Sequence, residues 1–65
     1  MSLETIMTAD AVETFVATGE VDPQTYDLLF DYFLRSGEMP YSTAKARDGD
    51  PHQWVADRLA EEYGQ

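Results

Sequence analysis

The sequence predicts an all-α protein, a compact bundle of three main helices plus one short weak helix. Apolar residues recur at helical spacing in three stretches, 8–18, 22–36 and 50–63. Each stretch opens on a residue suited to capping free amides and closes on a glycine: Thr8 and Gly19, Asp22 and Gly37, Asp50 and Gly64. No alternating β-branched run competes with them. Residues 1–65 are expected to form a single small helical domain. A chain of this size buries only about 60% of its unfolded surface, so its core is marginal and oligomerisation or partner binding would help it.

Residues 1–7 are too few for a helix of their own weight. A continuous helix over 3–18 would place Leu3, Ile6 and Met7 opposite Val12, Phe15 and Val16, so the pattern breaks near Thr8. Leu3 and Ile6 are therefore read as a lead-in turn laid over the core. Thr8 is the N-cap of the first main helix, with Asp10 in its first turn and Met7 stapled to Val12. Ala9, Val12, Phe15 and Val16 form its expected core stripe. Asp10 and Glu13 lie on the outer side, and Glu20 just past the end.

The stretch Val21 to Gly37 is the hub. Asp22 caps it, Pro23 occupies the first helical position without wasting an amide, and Val21 and Tyr26 have staple spacing. Tyr26, Leu28, Leu29, Phe30, Tyr32, Phe33 and Leu34 cover an arc of roughly 240°. A helix that apolar must be covered on several sides. Gln24, Asp27, Asp31 and Arg35 share the strip that remains, with Arg35 spaced to pair with Asp31 at i,i+4.

Pro40 enforces an extended break over 38–41. Ser42 can cap a short helix over 43–47 that Gly49 stops; with two alanines as its apolar content it is weakly held. Lys45 and Arg47 are expected to pair locally with Asp48 and Asp50. The last helix opens like the hub, Asp50-Pro51-His52-Gln53-Trp54 echoing Asp22-Pro23-Gln24-Thr25-Tyr26, with Gln53 at capping-box spacing from Asp50. Val55, Ala56, Leu59, Ala60 and Tyr63 form its inward face, and Trp54 falls about 100° from Val55. Asp57, Arg58, Glu61 and Glu62 line the outside.

Charge is the strongest global signal. Thirteen acidic residues face four basic ones, a formal net charge of −9. With 43% hydrophobic residues, four tyrosines, three phenylalanines and a tryptophan, this is no disordered acidic tail. Such a surface repels phosphate backbones, which argues against direct nucleic-acid binding, and it steers basic proteins towards it. Acidity serving only solubility or a salty cytoplasm is the competing reading. No apolar run is long enough to span a membrane, and the N-terminus lacks the basic region of a signal peptide, so a cytoplasmic setting is expected.

No constellation spells out a reaction. His52 is the only histidine, and its place beside a helix start suits a capping neighbour better than a base. Asp48-Gly49-Asp50 lacks the further ligands of a calcium loop. Asp27 and Asp31 are one turn apart, a pair without a histidine or a second pair to make a metal site. No catalytic residue, cofactor site or metal site is expected. Aromatics beside acid are instead the composition of an interface hot spot. The candidate partner-binding residues are Asp10, Glu13, Asp27, Asp31, Tyr32, Trp54, Asp57 and Glu61.

A very short, acidic, cysteine-free chain without an enzyme signature resembles the small phage-encoded inhibitors of the anti-CRISPR type. The resemblance is one of character across the whole chain; the Asp22-Pro23 and Asp50-Pro51 starts are general helix devices. It implies a stoichiometric inhibitor whose carboxylates stand in for phosphates against a basic surface. The partner would be a CRISPR effector or another nucleoprotein complex, with no contact to nucleic acid itself. The alternative is a small structural or regulatory subunit, a homodimer that buries the apolar flank of the hub around Leu28 and Tyr32.

Overall fold

A computed structural model describes residues 2–45 and 50–64 of the chain. Among them are five helices and no strand: α1 (Leu3–Ile6), α2 (Ala9–Thr18), α3 (Pro23–Ser36), α4 (Tyr41–Ala44) and α5 (Asp50–Tyr63). The all-α bundle with three main helices is thus what forms, with two short helices where one was expected.

Local chemistry sets the boundaries. Residues 3–6 make a full helical turn because the Ser2 hydroxyl accepts from the Thr5 amide. Thr8 caps α2 through the Ala11 amide at 3.2 Å, and Asp22 caps α3 through the Thr25 amide at 2.8 Å. Gly19 and Gly37 follow their helices at φ of 80° and 82°, a left-handed conformation that a Cβ would strain. The short helix α4 differs from expectation. Pro40 and not Ser42 stands at its N-cap, and no side chain caps it, so the helix starts at Tyr41. The Asp50 carboxylate lies outside the described residues, as do Ala46, Arg47, Asp48 and Gly49, and with them the expected Asp50 cap, the Gly49 stop and the pairing of Lys45 and Arg47 with Asp48 and Asp50. Lys45 itself is placed over the Tyr41 ring, its Nζ 5.1 Å from the centroid.

The core is Ile6, Met7, Phe15, Leu29, Phe33, Met39, Val55 and Leu59. Leu29 and Phe33 of the hub are fully buried, covered by α1 on one side and α5 on another. Contacts advance along α3 and α5 in the same sense. Tyr26 stacks on His52 near both helix starts, centroids 3.9 Å apart and planes 9° apart; further on, Trp54 meets Phe33 edge-on at 5.2 Å. Beyond the end of α3 the chain folds back, the Met39 amide donating to the Phe33 carbonyl at 3.2 Å, and Met39 enters the core.

Two face assignments shift. On α2 the inward residues are Ala11, Val12 and Phe15, while Ala9 and Val16 face solvent, Val16 at 51% exposure. The lead-in residues Ile6 and Met7 are buried in the core, which Val16 does not enter. On α5, Val55 and Leu59 are inward as expected, but Ala60 is exposed. Arg58, expected on the outside, is half-buried, its guanidinium carbon 5.9 Å from the Phe33 centroid.

Candidate partner-binding surface

Helix periodicity sends the acids outward, and the structure keeps them there. Asp10, Glu13, Asp27, Asp31, Asp57 and Glu61 are all exposed, and among the described residues no polar or charged side chain is buried. What separates these acids is compensation. Asp31 is neutralised by Arg35, whose Nε lies 2.9 Å from its Oδ1 one turn on. Arg58 is bound to Glu38 at 2.8 Å and to Glu62 at 2.9 Å, and those two carboxylates hold its guanidinium more firmly charged than usual. Asp10, Glu13, Glu20, Asp27, Asp57 and Glu61 have no cation within ion-pair distance among the described residues. Gln53 reaches forward to Asp57, its side-chain amide donating to Oδ1 at 2.8 Å; the expected capping-box contact with Asp50 lies outside the described residues.

The two aromatic candidates lie nearer the core than the acids. Tyr32 and Trp54 are both half-buried and both meet Phe33 edge-on, at 5.1 and 5.2 Å.

A groove of about 590 Å³ is bounded by the end of α2, the start of α3 and one face of α5. Phe15, Val21, Val55, Ala56 and Leu59 supply its apolar lining, and the stacked Tyr26 and His52 close one side. Two carboxylates, Glu20 and Asp27, line it, and among the described residues no lysine or arginine does. The turn carrying Glu20 is held by Thr18, whose hydroxyl donates to the Thr14 carbonyl at 2.8 Å and accepts from the Glu20 amide at 3.1 Å. Partial burial, with Asp27 beside it, pushes the Tyr26 hydroxyl above its usual range, so it stays a neutral donor. A second depression, of about 500 Å³, is lined by the hub residues Leu28, Asp31, Tyr32, Arg35 and Ser36.

The predicted set is therefore divided. Asp27 lies in the groove, and Asp57 is one hydrogen bond from the groove residue Gln53. Asp31 and Tyr32 belong to the second depression, and Asp10, Glu13, Trp54 and Glu61 to neither. Glu20, Val21, Tyr26 and His52 emerge from the structure as groove residues. The repeated Asp-Pro start was the available signal, since it hints that two similar helix ends could be placed together. Among the described residues no group of three or more His, Asp or Glu could hold a metal ion, and no helix is long and apolar enough to cross a membrane. The geometry offers recognition by charge and apolar contact. Comparison of the chain with protein-family models, curated proteins and solved structures finds no match.

Proposed function

We propose that this protein is a non-enzymatic, acidic protein-binding module that blocks a basic, nucleic-acid-binding surface of a partner complex, as the anti-CRISPR inhibitors it resembles do. The observation that supports this reading is the set of exposed carboxylates on all three long helices, five of which, Asp10, Glu13, Asp27, Asp57 and Glu61, have no cation within ion-pair distance among the described residues. Paired acids one turn apart, such as Asp57 and Glu61, have Cβ atoms about 5–6 Å apart, close to the spacing of successive phosphates. Such a surface raises the association rate with basic partners more than it lengthens the life of the complex. The partner would be a CRISPR effector or another nucleoprotein complex, met in the cytoplasm, with no cofactor required.

Capture of the partner from a lysate, identified by mass spectrometry, followed by association kinetics tests the reading. Replacing Asp57 by Asn and Glu61 by Gln should slow association, most at low ionic strength, and leave the fold intact because exposed charges contribute little to stability. Equal association rates for parent and variant at both low and high salt would reduce the acidity to a solvation shell.

A second reading has its own observation. Leu28 is 46% exposed beside the half-buried Tyr32 on one flank of α3. A homodimer buried through that flank would be insensitive to salt, and Leu28→Glu would convert it to a monomer in sedimentation equilibrium.

A further inference from the structure

We propose that the groove between α2, α3 and α5 is the anchor point for the partner, and that it seats a basic side chain projecting from an amphipathic helix of that partner. The inference rests on the functional reading above and adds where on the acidic surface the anchor lies and what enters it.

The chemistry of the groove selects this occupant. Phe15, Val21, Ala56 and Leu59 give it an apolar lining, while its polar lining includes Glu20 and Asp27 with no lysine or arginine among the described residues. A purely apolar side chain would strip water from two carboxylates without replacing those hydrogen bonds. An anion would be repelled. A lysine or arginine satisfies both halves: its aliphatic stem lies along the apolar lining and its cationic head reaches the rim. For arginine, the flat Tyr26–His52 stack adds an aromatic neighbour of the kind guanidinium groups favour. The volume, about 590 Å³, lies within the range of pockets for drug-sized ligands, so the groove has room for a neighbouring apolar residue of the same helix. A second copy of this chain is a poor occupant. It carries the same net charge of −9, and of its described cations Arg35 and Arg58 are already bound to carboxylates and Lys45 lies on Tyr41.

The test uses isotope-labelled full-length protein and two synthetic peptides of equal positive charge, followed by amide chemical shifts. One peptide is an arginine–leucine amphipathic helix; the other replaces every leucine with glutamine. The proposal expects saturable shifts centred on Phe15, Val21, Tyr26 and Ala56, with the leucine peptide bound about tenfold more tightly than its glutamine counterpart. Glu20→Gln with Asp27→Asn should cost about tenfold in affinity. That loss should be several times the loss from removing the same charge at Asp10 and Glu13. Ala56→Gln, which fills the groove, should weaken the leucine peptide selectively. Thermal melts check that this variant folds, and the rim substitutions carry the test if it does not. Equal affinity for both peptides, with shifts spread over all acidic faces, would overturn the groove while leaving the acidic-surface reading standing. No binding of either peptide at low salt would overturn both. Groove shifts that grow with protein concentration in the absence of peptide would make a second copy the occupant and overturn the proposal.

Discussion

The two sides of the hub helix are built to different standards. Towards α5, Leu29 and Phe33 are fully buried, Val55 and Leu59 nearly so, and Trp54 and Arg58 close over the Phe33 ring. Towards α2, Phe15 is the one buried residue the helix contributes, Val16 is half in water, and the groove stays open beside it. The difference follows from stripe width. The hub has apolar residues around most of its circumference, whereas α2 has Ala11, Val12 and Phe15 on one narrow face. A small chain that concentrates its packing in one seam, where α1, α3 and α5 meet, leaves surface beside α2 free for recognition.

The largest effect should come from the seam. Phe33→Ala is expected to cost about 3–5 kcal/mol in denaturant melts, a large part of the stability of a small domain. A loss under about 1 kcal/mol would mean that Phe33 does not hold the seam. Phe15→Ala tests the other side. It should cost about 2 kcal/mol, below the usual range for a buried phenylalanine, because Phe15 lines the open groove. Equal costs at the two positions would erase the contrast.

A smaller effect is expected at the start of the hub, where groove and seam meet. The Thr25 hydroxyl, and after it the Thr25 amide, hold the Asp22 carboxyl below the usual aspartate range. Asp22→Ala should lower the melting temperature by about 4–8 °C. Because the folded-state value is the lower one, this contribution is fully present above the unfolded value near pH 3.9 and is lost as pH falls through the folded value. Melts of parent and Asp22→Ala should therefore converge below about pH 4; a gap that persists in strong acid would remove the carboxylate from the account. The smallest effect belongs to Val16→Ser, within about 0.5 kcal/mol in the same melts. A larger loss would place Val16 in the core and close the α2 side.

Much of this fold was legible because its boundaries are local. Thr8 and Asp22 each reach an amide three residues away, and Gly19 and Gly37 stop helices by their own conformational freedom. The bundle and its hub follow from apolar spacing alone. The parts that were not legible depend on where distant segments come to rest. Nothing near Met39 announces that its amide will reach back to Phe33 and carry the side chain into the core. Ala11 and Val16 lie on different sides of the α2 stripe, and the sequence does not tell which of them turns inward with Phe15. Arg58 reads as an outward charge until Phe33 is found beneath it and Glu38 beside it. The acidic candidates were correctly sent to the surface, yet which of them border a groove depends on three helices at once.

Amide hydrogen exchange of the free protein tests the contrast between seam and groove most directly, since it reports the opening free energy of each helix separately. The amides of Leu29 to Phe33 and of Val55 to Leu59 should exchange only through global unfolding, and those of Ala11 to Phe15 through a cheaper opening of α2. Uniform protection across α2, α3 and α5 would show one evenly packed bundle and contradict the account.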